Sequence, residues 1–194
     1  MTKSIDFYFD FISPYSFLAY KKLKSLNNIS KININYKPIL LGGLHNLGNI
    51  TAPAFNERKM KNMKNDCELI ARKNNIEFKW NEKFPVNSLN LMRGYLSLNE
   101  KLKKKFFDLC FDAYWKDNID LSNEKNFENI LNNCLINKTS FLKEIQDQKI
   151  KDKLKQLTEN AFKKDIFGAP TFIVNNKIFW GQDRLDYALD EYNS

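Results

Sequence analysis

Between Ile5 and Leu26 the hydrophobic period changes once, and that change limits what the chain can become. Ile5, Phe7, Phe9 and Phe11 alternate with Asp6, Tyr8 and Asp10, an aromatic-rich run close to apolar on both faces, as in a central strand. From Pro14 onward Phe17, Tyr20, Leu23 and Leu26 recur at near-helical spacing, and Pro14 stands in a first turn, where a missing N–H costs nothing. Ser13-Pro14-Tyr15-Ser16 is therefore a strand-to-helix junction. Ser13 lies beside the free N–H groups of a helix start, a place that can hold an anion. Taken alone, the same residue reads first as an ordinary N-cap worth about 1 kcal/mol.

The rest of the chain sets this junction in an order of βαβ, then helices, then ββα. Strand one covers about residues 4–11, helix one 14–28 and strand two 32–40, and Gly42-Gly43 ends the first half. From Ala52 to Lys164 the period is helical: Met60, Met63, Cys67 and Ile70 share one face, Leu102, Phe106, Leu109 and Ala113 another, and Ile150, Leu154, Leu157 and Ala161 a later one. Strand texture returns at Thr171–Val174 and Lys177–Trp180, joined by Asn175-Asn176 as a tight hairpin turn, and a last helix runs from Gln182 to Tyr192. The chain's 194 residues suffice for one sizeable core or two small co-folded lobes. No Gly/Ser linker separates them, so a ligand cleft is expected between the first lobe and the helical insert.

Several function classes recede on composition. No run reaches the roughly 18 apolar residues of a membrane span, and the N-terminus lacks the regions of a signal peptide, so a soluble cytoplasmic protein is expected. Cys67, Cys110 and Cys134 are widely spaced within the helical middle and form neither a Cys-x-x-Cys nor a metal-ligand pattern; buried, reduced thiols and no metal are expected. The net charge of +8 is spread over Asn-rich helices rather than gathered on one face. It argues for attraction of small anions more than for nucleic-acid binding.

A second segment gives the junction a context. In the thioredoxin architecture the same strand-to-helix turn carries a Cys-x-x-Cys pair, whereas here both positions are Ser. Gly168-Ala169-Pro170-Thr171, ahead of Phe172, Ile173 and Val174, resembles the loop that sets a cis-proline against the thioredoxin active site. With Phe7–Tyr20, the loop ending Gly48-Asn49, and the stretch from Phe167 to Leu185, the chain resembles the 2-hydroxychromene-2-carboxylate isomerases and the kappa-class glutathione transferases of the DsbA-like thioredoxin superfamily.

That resemblance implies an α/β thioredoxin-like domain, residues 1–51 and 165–194, interrupted by a helical insertion domain, residues 52–164. It also implies glutathione as cofactor and a homodimer. Glutathione carries a thiol, two carboxylates and an ammonium. The resemblance assigns Ser13 to its sulfur, the backbone of Ala169 beside a cis Ala169–Pro170 bond to its cysteinyl unit, and Gln182, Asp183 and Arg184 to its γ-glutamyl end. Asn49 matches the family's Gly-Asn pair. On the substrate side Tyr15 and Trp80 are candidates for an aromatic cleft. Leu44 stands where the isomerases carry a basic residue for the substrate carboxylate, and His45, the sole histidine, lies in the same loop. Arg58, Lys59 or Arg93 could supply the missing charge. The implied activity is glutathione-dependent isomerisation of a chromene carboxylate and its open-chain unsaturated keto acid. Alternatives are a kappa-like transferase, or a glutathione- or partner-binding module without chemistry.

Overall fold

The computed structural model describes residues 3–194. Its centre is a four-stranded sheet in the order β2-β1-β3-β4, built from β1 (Ile5–Phe9), β2 (Ile34–Pro38), β3 (Thr171–Val174) and β4 (Lys177–Trp180). β2 runs parallel to β1, with Phe7 opposite Tyr36. β3 lies antiparallel on the other side of β1, with Phe7 opposite Phe172. The aromatic alternation of the N-terminal run has this cause: β1 is paired along both edges and covered on both faces.

Between β1 and β2 lies α1 (Pro14–Lys24). After β2 come α2 (Leu41–Leu47), α3 (Glu57–Lys73), α4 (Leu89–Ser97), α5 (Glu100–Trp115), α6 (Glu124–Asn133), α7 (Lys138–Glu144) and α8 (Gln148–Phe162); α9 (Leu185–Asn193) follows the hairpin. The Asn-rich texture has a structural use here. Asn56, Asn99, Asn123 and Asn137 each accept a hydrogen bond from the first turn of α3, α5, α6 and α7 respectively, stabilising four helix starts.

One face of the sheet carries Phe7, Phe9 and Phe172 into a cluster that continues through α1, α5 and α9. Phe7 and Phe172 stack at 5.0 Å, and Phe9 meets Phe107 of α5 edge-on at 4.6 Å. Sheet and helical insert thus share one apolar core. The opposite face carries Tyr8 into a smaller cluster with Ile39, Leu44, Ala161 and Ile166, so α2 and α8 cover it.

Two local expectations change. Residues 41–47 form a helix, not a loop: Gly42 and Gly43 are tolerated because Leu44 is buried against Tyr8 and Ala161, and tertiary burial outweighs the helix cost of two glycines, about 1 kcal/mol each. Asn49, at φ 51°, follows the Gly48 C-cap and stops this helix. The first helix ends at Lys24 rather than Asn28. The hairpin falls where the alternation puts it, with Asn175 and Asn176 both left-handed at φ 49° and 62°, as a type I′ turn requires.

Gly94 of α4 tests how tightly the insert is packed. A Cβ there would lie 2.2 Å from Phe141 Cζ, with Phe106 also close. Gly94→Ala should lower the stability read by chemical denaturation by about 1–3 kcal/mol through overpacking. An unchanged midpoint would show that α4 and α7 are not packed in this way.

Candidate functional site

The junction forms as its residue types require. Ser13 has extended backbone angles and caps α1, its Oγ accepting from the Ser16 N–H at 3.1 Å, with Pro14 in the first turn. The Ser13 N–H donates to the Asp10 carbonyl at 3.0 Å, closing the turn that leaves β1. Ser13 is buried. Its single hydroxyl proton goes to the carbonyl of Ala169 at 2.8 Å, so residues 156 positions apart in sequence are joined at the helix start.

The Ala169–Pro170 bond is cis. The loop around it is held from both sides: Thr171 Oγ1 donates to the Gly168 carbonyl at 2.8 Å, and the Gly181 N–H to the Pro170 carbonyl at 2.9 Å. Gly168 has no room for a side chain, since a Cβ would lie 2.6 Å from Trp180 Nε1. Gly181, at φ 108°, turns the chain from β4 into residues 182–184, which pack against α1. Ser13, Ala169-Pro170 and Gln182-Asp183-Arg184 thus form one connected wall. Asp183 and Arg184 are both well exposed and paired with each other at 3.0 Å, an ion pair that a zwitterionic group could open at little cost.

A cavity of about 420 Å³ reaches α1 at Tyr15, two residues after Ser13; it is lined by Tyr15, Pro53, Arg58, Lys59, Asn62 and Met63, and none of the wall residues is among them. Arg58 and Lys59 stand in the first turn of α3, where the helix dipole disfavours cations. Neither forms an ion pair among the described residues. Of the three basic candidates Arg58, Lys59 and Arg93, the first two line this cavity, and Asn56, which accepts from the Lys59 N–H, fixes their turn at its edge. The Tyr15 hydroxyl donates to Asp66 at 2.8 Å; burial, with the neighbouring Cys67 and Asp66, holds its pKa well above the ordinary phenol value and keeps it protonated.

Other expected residues lie elsewhere. Leu44 is fully buried between the sheet and α8, so it cannot touch a substrate; a basic residue at this position would be buried in an apolar cluster. Trp80 packs against Phe84 and Trp115 within the insert and is not among the residues lining the cavity at Tyr15. His45 rides on α2, partly buried; desolvation lowers its pKa, leaving it neutral near pH 7. Asn49 is exposed at the end of the same helix. Cys67, Cys110 and Cys134 are free and buried, and no group of three or more metal-ligating side chains occurs among the described residues. No helix among them is long and apolar enough to cross a membrane.

Residues 4–193 match the DSBA-like thioredoxin domain. The chain belongs to the DSBA-like thioredoxin family. It is 28% identical to a 2-hydroxychromene-2-carboxylate isomerase of Sphingobium xenophagum over 99% of this chain and 98% of that protein. It is 25% identical to glutathione S-transferase kappa 1 of Homo sapiens, covering 96% of this chain and 89% of that one. A solved structure of 2-hydroxychromene-2-carboxylate isomerase superposes with a TM-score of 0.86 at 24% identity, over 97% of this chain and 94% of that chain, and shows the same fold. Both relatives bear enzyme names. Within this family the chain departs from the dithiol pattern, because Ser13 and Ser16 occupy both ends of the turn.

One residue escaped the sequence reading. Asp10 is fully buried at the end of β1 and accepts from the Ile12 N–H at 3.1 Å, the Leu41 N–H at 2.8 Å and the Ser88 hydroxyl at 3.0 Å. It ties the Ser13 turn to α2 and to the segment before α4. The only sequence sign was a carboxylate one residue before the end of an aromatic run. Burial raises its pKa to about 6, partly opposed by these three donors. Below pH ~4 the group is protonated in folded and unfolded chains alike; between about 4 and 6 only the unfolded chain releases the proton, so folding stability falls as pH rises, by roughly 3 kcal/mol, and then levels off. Denaturation series across this window should show that loss in the wild type and a flatter profile in Asp10→Asn. Identical profiles would contradict the assignment.

Proposed function

We propose that the chain is a glutathione-dependent isomerase of the 2-hydroxychromene-2-carboxylate isomerase type, interconverting a chromene carboxylate and its open-chain aromatic unsaturated keto acid. The observation that carries this reading is the contact of Ser13 with Ala169 at the start of α1, in a turn with no thiol of its own. A dithiol exchange at that turn needs sulfur at one or both ends; a hydroxyl at the same place can stabilise another molecule's sulfur instead.

The donor set suits glutathione end by end. Ser13 offers a hydroxyl at a helix N-terminus, where a thiolate is favoured. Ala169 offers a backbone carbonyl beside it for an extended peptide, and Asp183 with Arg184 offers one charge of each sign for the γ-glutamyl ammonium and carboxylate. Arg58 and Lys59 supply positive charge across the cavity, replacing the basic residue absent at Leu44. When bound, glutathione would supply the nucleophile, a thiol whose reversible addition to a conjugated carbon permits rotation in the substrate with no net change in oxidation state.

The chain's own part is positioning and proton placement. Ser13 has one proton, now held on Ala169. To donate to sulfur the hydroxyl must leave that carbonyl, and Ala169 is then an acceptor in need of a donor. A ligand bringing both a sulfur and an amide N–H satisfies both atoms, whereas a simple thiol satisfies one. Neutral Tyr15, held by Asp66, presents a ring to the cavity without adding negative charge.

Transfer of glutathione to an electrophile, by likeness to the human relative named glutathione S-transferase kappa 1, is the second reading. Ser13→Ala should lower turnover by about a hundredfold or more while glutathione affinity stays within about tenfold, because the serine acts on the reacting atom more than on the peptide. Unchanged turnover refutes the role of Ser13. In the wild-type reaction, regenerated glutathione supports isomerisation, and an accumulating thioether shows a transferase instead.

A further inference from the structure

A second cavity, also of about 420 Å³, opens between α2, α4 and α8 and shares no lining residue with the one beside Tyr15. Its walls combine Leu40, Leu89 and Leu154 with three cations, Arg93, Lys151 and Lys155. The sole carboxylate on the lining is Glu159, which approaches Lys155 at 3.8 Å, so positive charge is in excess. Arg93 carries the strongest sign of an unfilled role. Its Nε is sealed from solvent and has no hydrogen-bond partner among the described residues. A buried donor left in this way is costly, and a small shift of the side chain that lets a bound carboxylate reach it would remove that cost.

The cavity is also braced. The Leu40 N–H donates to Thr158 Oγ1 at 3.0 Å, and the Leu41 N–H and the Ser88 hydroxyl both end on Asp10, so the segments carrying Leu40 and Leu89 are pinned before any ligand arrives. Its size lies within the range of about 300–1,000 Å³ usual for small-molecule sites. Apolar walls with a guanidinium and two ammonium groups at the rim fit an amphipathic anion: an apolar body against the leucines and a carboxylate on Arg93.

We propose that this cavity is a binding site for a small amphipathic monocarboxylate, separate from the Ser13 site and independent of the reading given to that site. Binding involves no covalent step. Octanoate is a suitable probe, with its methyl ester and octylamine as neutral and cationic counterparts of similar length. Isothermal titration of the full chain should show one saturable octanoate site, undiminished by glutathione, and no saturable binding of the ester or the amine. Arg93→Gln should weaken octanoate by at least about tenfold, and Lys151→Gln by less, as expected for losing a charge-assisted pair and a rim charge respectively. Amide chemical-shift changes should centre on α2, α4 and α8. Absence of saturable binding, equal affinity for ester and acid, displacement by glutathione, or undiminished octanoate affinity in a folded Arg93→Gln each overturns the proposal. If Arg93→Gln does not fold, Lys151→Gln and the shift map still decide it.

Discussion

The site depends on β1 being paired along both edges. Its parallel partner β2 delivers α2 and, after it, the first turn of α3 with Arg58 and Lys59; its antiparallel partner β3 delivers Ala169-Pro170. Phe7 stacked on Phe172 holds the second pairing in register. Because side chains alternate along a strand, a shift of one residue would exchange the faces, turning Phe7 and Phe9 toward the smaller cluster under α2 and α8 and Tyr8 into the larger one. The aromatic core and the Ser13–Ala169 contact are therefore enforced by the same ladder.

Within that frame the junction is economical in its hydrogen bonds. Ser13 uses its N–H to close the turn on Asp10, its oxygen to cap α1 through Ser16, and its one proton to hold Ala169. Only the last of these can be given up without loosening the turn or the helix. Exchange of that proton from a backbone carbonyl to a ligand sulfur is the least disruptive change available, and it leaves the scaffold in place. Asp10, buried behind the turn, resists movement of the backbone that carries Ser13.

Much of this was legible in residue order, and the parts that were not have a common cause. The β1-to-α1 junction, the I′ hairpin at Asn175-Asn176 and the cis bond at Ala169–Pro170 are carried by local chemistry: alternation, a first-turn proline, residues that accept positive φ, and a motif resemblance. What needed three dimensions was burial. Gly42-Gly43 reads as a break, yet α2 forms because Leu44 finds Tyr8 and Ala161. The same burial removes Leu44 from any substrate contact, and the packing of Trp80 on Trp115 places that residue within the insert. Arg58 and Lys59 were two of three basic candidates without a position in residue order, and the Asn56 cap fixes their turn beside Tyr15. Asp10 looked like the polar side of a strand until its three donors, from three segments, were seen together.

The central claim, that Ser13 releases Ala169 to hold a sulfur supplied from outside, is tested most directly by a crystal structure with glutathione bound. The account predicts the sulfur within about 3.5 Å of Ser13 Oγ and the Ala169 carbonyl accepting from the ligand's amide. Glutathione bound with its sulfur elsewhere, and Ser13 still donating to Ala169, would contradict it.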